Sequence, residues 1–377
     1  MIRKIIIVLL VCVGASIATS AITQSMLSSK EELGKKLFFD STLSTPPGQS
    51  CAACHAPEAG WTGPDSGINS ATAVYPGAVH TRFGNRKPPT SAYASFSPAL
   101  HYDAENEVWV GGQFWDGRAD TLIDQAKGPF LNPLEQNSPN AKLVCTKVAH
   151  SDYADLFREV FGPNSLDPVK DVPGTYNRIA DAIATYEAST ESQPFTSKYD
   201  YYVAGVVQLS ELEAKGLELY EGKAMCSACH PSQPGPFAEK ALFTDYTYDN
   251  LGIPKNPNNP FYSIPKKWNP AGAQWVDLGL GFTTGQESEY GLFKVPTLRN
   301  VDKRPFPGFV KAYGHNGYFK SLKEIVHFYN TRDVAEWPAP EVAMNINTDE
   351  LGNLGLTDDE EDAIVAFMTT LSDGYQP

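Results

Sequence analysis

Residues 51–55 read CAACH, and residues 226–230 repeat the pattern as CSACH. A C-x-x-C-H run is the attachment pattern of c-type haem, in which two thiols form thioethers with the vinyl groups and the histidine ligates the iron. The two runs therefore predict two covalently bound c-type haems. The residues expected to hold them are Cys51, Cys54 and His55 for the first haem, and Cys226, Cys229 and His230 for the second.

Pairs of cysteines also build structural zinc sites and redox-active dithiols. Zinc sites usually take their ligands from within a few tens of residues, whereas these runs lie in opposite halves of a 377-residue chain. Neither alternative explains a histidine at the same offset in both runs. The sequence therefore favours haem over zinc and over a dithiol.

Similar segments precede the two haem motifs. Residues 31–38 and 211–220 both place apolar side chains at the spacing of one helix face, which indicates an imperfect tandem of two modules. Strand patterns are sparse, and residues 59–98 and 235–285 are rich in proline and glycine without a helical period. We expect a mainly α fold of two tandem cytochrome c-like haem domains with long irregular loops.

Two features of the sequence, the N-terminal segment and an extended stretch near the middle, set the domain boundaries. Residues 1–21 have the basic start, short apolar run and small-residue end of a secretory signal peptide; the alternative, an uncleaved membrane anchor, is disfavoured by the short apolar run. An extended stretch divides the rest into haem domains at 22–195 and 196–377. We expect a periplasmic protein that is not membrane-associated after cleavage.

The formal net charge of the chain is −14. Such an acidic balance excludes a nucleic-acid binder, which needs a basic surface. It is compatible with attraction of a basic electron carrier, and equally with an acidic surface that has no partner.

Between the haem motifs, residues 112–119 read GQFWDGRA, residues 125–129 read QAKGP and residues 132–135 read NPLE. Together with the paired motifs, these segments resemble the bacterial dihaem cytochrome c peroxidase family, which includes the MauG-like enzymes. The resemblance extends over nearly the whole chain after the signal peptide.

The resemblance implies roles for four residues of these segments. Trp115 would lie between the haems and pass electrons, while Gln125, Pro129 and Glu135 would line the peroxide pocket of the first haem. Chemistry supports two of these roles, because a carboxylate over an apolar haem face can move the proton that O–O cleavage needs, and an amide can orient peroxide without titrating. Without the family, a solvated pair near a helix end would also explain Gln125 and Glu135.

In the second half, residues 295–301 (VPTLRNV) and 313–317 (YGHNG) match further family segments. Many members have a methionine ligand of the second haem fourteen residues after the histidine of the second segment. This chain has Tyr329 there, as the MauG-like enzymes do. His327 is the rival ligand, but residues two apart on a helix point to different sides. An anionic phenolate would lower the potential of the second haem.

Two features of the resemblance stay open. Members that need reductive activation keep a loop histidine on the first haem, so His80 is either such an iron ligand or a loop residue beside a haem already open to peroxide. The family also has a calcium site between the haem domains. Its asparagine ligand is replaced by Lys87 here, with Asn85 as the alternative donor.

Taken together, these features predict a periplasmic dihaem enzyme that activates hydrogen peroxide and oxidises a partner protein through long-range electron transfer. The alternative is a cytochrome c peroxidase that reduces peroxide with electrons from a small cytochrome c or cupredoxin. A plain electron-transfer dihaem cytochrome is a third hypothesis, which the presence of Gln125 and Glu135 argues against.

Overall fold

The computed structural model of the protein describes residues 26–377. The predicted signal peptide lies outside the described residues. The mainly α prediction is confirmed, since the described part of the chain has eleven α-helices and two small two-stranded sheets. The helices are α1 (Ser29–Phe39), α2 (Ser66–Ala71), α3 (Leu122–Leu131), α4 (Ala141–Ala149), α5 (Ala154–Phe161), α6 (Val172–Glu187), α7 (Lys198–Val203), α8 (Glu211–Glu221), α9 (Leu280–Thr284), α10 (Leu322–Thr331) and α11 (Asp358–Thr369).

The strands form two antiparallel pairs. Strand β1 (His101–Asp103) pairs with β2 (Val108–Val110), and β3 (Tyr248–Asp249) pairs with β4 (Phe293–Lys294). Long irregular segments connect these elements, as the proline-rich and glycine-rich stretches predict. Between residues 26 and 377, no helix has the length and apolar character needed to cross a membrane.

The helices before the two haem motifs begin at matching capping boxes. Ser28 accepts from the backbone of Glu31 at the start of α1, and Ser210 accepts from Glu213 at the start of α8. In each case the glutamate also accepts from the serine backbone, so two otherwise unpaired N–H groups are satisfied. The capping box predicted at Thr357 is likewise present, at the start of α11.

Each half of the chain contains one close helix crossing at a glycine. Helix α1 packs on α6 at Gly34, and α8 packs on α11 at Gly216. A Cβ atom on Gly34 would lie 1.9 Å from the carbonyl oxygen of Ala182, and one on Gly216 would lie 1.9 Å from that of Ala363. The two crossings have the same geometry, as expected if the two halves of the chain repeat one module.

Two hydrophobic cores accompany the two crossings. The first includes Phe38, Phe130 and Ile183 and packs against Cys51 of the first haem motif. The second includes Tyr220 and Phe367, and it packs against the second motif. The first core also contains Leu242 and Tyr246 from the second half of the sequence, so the two halves are interlocked, and the boundary at residue 195 stays a prediction.

A buried ion pair cluster also joins the halves. The Arg86 guanidinium donates to Asp116 (2.7 Å) and, through two nitrogens, to Asp277 (2.6 Å each). All three side chains are less than a tenth exposed. Removing Arg86 would leave the buried Asp277 carboxylate without its cationic partner, so the cluster fixes how the loops around residues 86 and 277 meet.

We expect Gly216→Ala to lower the free energy of unfolding by roughly 1–3 kcal/mol, because the added Cβ overlaps the α11 backbone and this overpacking outweighs the gain in helix propensity. Denaturant unfolding followed by circular dichroism measures the change. Gly235→Ala is the control, because a Cβ there meets nothing within 4 Å. Equal stability of the G216A variant and the wild type would contradict the close crossing.

Candidate functional site

The first haem motif lines a cavity in the first half of the molecule. Its Cys51–Ala53 segment forms a 3-10 turn, closed by a hydrogen bond from the backbone N–H of His55 to the carbonyl of Cys51 (3.0 Å). The turn brings Cys51, Cys54 and His55 to the wall of one cavity. Apolar side chains, including Phe38 and Ile183, line the same space.

The second motif repeats this geometry. The Cys226–Ala228 turn is closed by a bond from the N–H of His230 to the carbonyl of Cys226 (2.9 Å). Cys226, Cys229 and His230 line a second cavity. Leu251 and Val326 are among its apolar residues.

Both motif histidines are held in one tautomer. Nδ1 of His55 lies 3.3 Å from the carbonyl oxygen of Trp61, and Nδ1 of His230 lies 2.8 Å from that of Phe243. A carbonyl oxygen can only accept, so each contact favours the tautomer with the proton on Nδ1 and the lone pair on Nε2. Burial lowers the pKa of both rings to about 4, so both are neutral at pH 7.

The donor set of each cavity fits a c-type haem. None of the motif cysteines forms a disulfide, each cavity has one neutral histidine, and a backbone-bonded Nδ1 is the usual arrangement of a metal-ligating imidazole. The walls are largely apolar, as a tetrapyrrole requires.

Three predicted peroxide-pocket residues come together in the first cavity. Gln125 and Pro129 lie one turn apart on α3, and Glu135 lies in the loop after it; all three line the cavity. Asn132 ends the helix and shapes the loop, because its carbonyl accepts from the N–H of Glu135 (3.0 Å). Burial raises the pKa of the Glu135 carboxyl, although Arg118 and Asn132 oppose this effect.

Trp115 lies in the wall that the two cavities share, since it lines both. Its indole Nε1 donates to the carbonyl of Lys87 (2.9 Å), and its own carbonyl accepts from the N–H of Lys294 (2.9 Å). Both ends of the residue are therefore fixed by backbone groups. Segments 87–90 and 294–297 contribute to the same wall.

The two rival ligands on α10 are placed differently. Tyr329 lines the second cavity together with His230. His327 lines neither cavity; its side chain is 50% exposed and its Nδ1 bonds to Glu361 (2.9 Å). The structure thus brings the tyrosine, and not the histidine, to the second haem motif.

His80 is not brought to the first cavity. It is exposed and lines neither cavity. Its loop turns back at this point, through bonds from Arg82 to Val79 and from Gly77 to Arg82 (both 2.8 Å). His80 is therefore not placed to bind an iron in the first cavity, although its spacing nearly matches that of the family's loop histidine. Its exposed position agrees with the other alternative, a loop histidine beside an open site.

Several cavity residues were not predicted. Glu187 on α6 lines the first cavity and is 4% exposed. It follows Ile183 by one helical turn, so the helical pattern contained a signal for it. Asp249 and Glu350 line the second cavity, where each offers an oxygen within 4.8 Å of the Cys229 sulfur. They come from distant loops, and no local pattern indicates them.

Comparison with known proteins agrees with this geometry. Residues 28–208 match the family described as di-haem cytochrome c peroxidase. The methylamine utilization protein MauG of Paracoccus denitrificans is 37% identical, over 92% of this chain and 89% of that protein. The cytochrome c551 peroxidase of Pseudomonas aeruginosa is 30% identical, over 94% of this chain and 81% of that protein.

Solved structures give the same picture. The diheme peroxidase BthA from Burkholderia thailandensis has a TM-score of 0.78 at 30% identity, covering 92% of this chain and 87% of that one. A MauG-like protein associated with microbial copper homeostasis has a TM-score of 0.67 at 25% identity, covering 93% and 91%. The predicted resemblance is confirmed, and both branches of the family are among the relatives.

Glu187 generates a pH-dependent prediction. Burial raises its pKa to about 8, so between about pH 4 and 8 the folded protein holds a proton that the unfolded chain has lost, and stability falls as pH rises. Glu187→Gln removes this loss. We therefore expect the stability of E187Q relative to the wild type to increase with pH across this window, as measured by denaturant unfolding at several pH values.

Glu191→Gln is the control for this experiment. Glu191 pairs with Lys35 (2.7 Å), and its side chain is 33% exposed. Its variant should show no such trend. A constant stability difference between E187Q and the wild type from about pH 5 to 8 would contradict the buried, proton-holding carboxyl.

Proposed function

The chain belongs to the di-haem cytochrome c peroxidase family, and from this membership we propose that it is a periplasmic enzyme that activates hydrogen peroxide and oxidises a partner protein. Members of this family are dihaem oxidoreductases. The observation that carries the more specific proposal is the presence of Tyr329, in place of methionine, in the wall of the second cavity. Each haem, bound covalently through its motif cysteines and by its motif histidine, would supply an iron that exchanges single electrons and, at the first site, reacts with peroxide.

Glu135 is the proton-transfer residue of the first site in this proposal. Cleavage of the O–O bond requires a proton to move from the near to the far oxygen of peroxide, and a carboxyl group can accept and return it. Burial raises the pKa of Glu135 and so brings it closer to neutral pH, where a general acid–base works best. The Gln125 amide orients peroxide by hydrogen bonds, and Pro129 contributes an apolar part of the wall.

Trp115 is the electron relay between the sites. Among residues 26–377, it is the aromatic residue that lines both cavities, and a hydrogen bond fixes its indole. Fixed geometry favours electron transfer because no side-chain rearrangement is required.

Tyr329 distinguishes the second site from the first. As an anionic ligand it would stabilise the oxidised form of the iron and lower its potential. A second site of low potential is a poor entry point for electrons from a small carrier, and it suits storage of an oxidising equivalent. This supports protein oxidation over turnover with a soluble donor.

The alternative function is a peroxidase that uses a small cytochrome c or a cupredoxin. The net charge of −14 supports it, because an acidic surface attracts a basic carrier.

We expect Tyr329→Phe to abolish the low-spin electron paramagnetic resonance signal of the second haem in the ferric protein, because phenylalanine has no oxygen to bind the iron. The signal of the first haem should be unchanged. His327→Gln is the control and should leave both signals intact. A second-haem signal that survives Y329F and disappears in H327Q would contradict the proposal.

The ferric protein should react with one equivalent of peroxide without prior reduction, since His80 lies outside the first cavity. Absorption spectra before and after addition measure this reaction. A protein that reacts only after one-electron reduction would instead be a conventional peroxidase.

Glu135→Gln should slow the reaction of the first haem with peroxide by roughly 10²–10⁴-fold, because the amide keeps the size of the side chain but cannot transfer the proton. Stopped-flow absorption gives the rate constants. Asp124→Asn changes an exposed carboxylate on α3, the helix that precedes the Glu135 loop, and should leave the rate unchanged. An E135Q rate equal to that of the wild type would remove Glu135 from the proposed role.

A further inference from the structure

Three lysines without an anionic partner lie at the wall between the cavities. Lys87 and Lys294 line both cavities, while Lys311 lines the second and is 4% exposed. Within residues 26–377, no carboxylate lies within ion-pair distance of any of them, and all their acceptors are uncharged. These acceptors are the carbonyl of Pro88 for Lys87, the carbonyl of Gly112 and the hydroxyl of Ser97 for Lys294, and the carbonyls of Ala59, Asn300 and Lys303 for Lys311.

A buried ammonium group that lacks an anion is costly. Burial lowers the pKa of Lys87 to about 8 and that of Lys294 to about 7. The charged form of both side chains is therefore destabilised in the absence of an anion. A group that fills the cavities and carries negative charge would remove this cost. Haem fits, because its two propionates are carboxylates.

The same wall is where the family resemblance implies calcium, and the residues present do not fit that ion. Calcium takes about six to eight oxygen ligands, whereas a lysine side chain has three donors and no acceptor. The alternative donor Asn85 lines only the first cavity, so it does not lie in the wall that the two cavities share. The Lys87 ammonium lies 6.0 Å from the centre of the Trp115 ring.

We propose that the Lys87 ammonium takes the place of the interdomain calcium ion and, with Lys294, binds haem carboxylates, so that this protein works without calcium. The inference rests on the proposed occupancy of the two cavities by haem. The positive charge of Lys87, which lines both cavities and lies close to Trp115, would then favour the reduced form of both irons.

The test uses the purified haem protein as wild type and as Lys87→Met, Lys87→Arg and Lys87→Asn variants. Lys147→Met is the matched control, because Lys147 is also held by backbone carbonyls, those of Leu43 (3.1 Å) and Ser44 (2.5 Å), but lines neither cavity. Metal analysis gives the calcium content. Spectroelectrochemistry gives the midpoint potentials, and electron paramagnetic resonance reports the effect of a chelator.

We expect wild-type protein without stoichiometric calcium and with spectra that neither chelator nor added calcium changes. K87M should shift both midpoint potentials downwards, K87R should retain them, and K147M should match the wild type. K87N, which restores the family residue, should gain a spectral response to calcium.

One bound calcium in the wild type, whose removal changes the haem spectra, would overturn the inference. So would midpoint potentials in K87M equal to those of the wild type. If K87M does not fold, the calcium content of the wild type and the midpoint potentials of K87R still test the inference. Peroxide reactivity of the wild type is recorded alongside, and its loss would contradict the proposed function without affecting the measurements on Lys87.

Discussion

The two cavities share one wall, and the hydrogen bond from the Trp115 indole to the Lys87 carbonyl (2.9 Å) fixes the aromatic ring within it. Lys87 and Trp115 belong to two separate segments of the chain between the haem motifs, and this bond joins the two segments. The Arg86 cluster with Asp116 and Asp277 lies immediately beside it in sequence and joins both segments to the second half of the chain. The proposed electron transfer between the cavities depends on the fixed arrangement of this wall.

Much of the fold could be predicted from the sequence because it depends on local patterns. The C-x-x-C-H turns, the helices α1 and α8 and the capping box at Thr357 all follow from residues within a few positions of one another. The residues of the wall are different. Lys294 and Lys311 are brought to it by long irregular loops, and their partners are backbone carbonyls that carry no sequence signal. His80 illustrates another limit, because a nearly correct spacing does not determine which way a loop turns, and the sequence left its two alternatives open.

The sites are alike in their motifs and differ in the rest of their walls. The first cavity has an amide, a proline and a carboxyl group from α3 and the loop after it, which suits peroxide binding and proton transfer. The second has Tyr329 on α10 and the carboxylates of Asp249 and Glu350, which suits stabilisation of an oxidised iron. In the proposed function, this difference would divide the work between an activating site and a storing site, built on two similar parts of the tandem fold.

The most direct test of the proposed function is the steady-state rate at which the protein consumes hydrogen peroxide when a reduced small cytochrome c or cupredoxin is the only electron donor. Oxidation of a partner protein as the main activity predicts slow consumption that does not saturate with the carrier. Rapid turnover, with a rate that saturates with the carrier, would contradict that proposal and assign the protein to the peroxidases that use small electron donors.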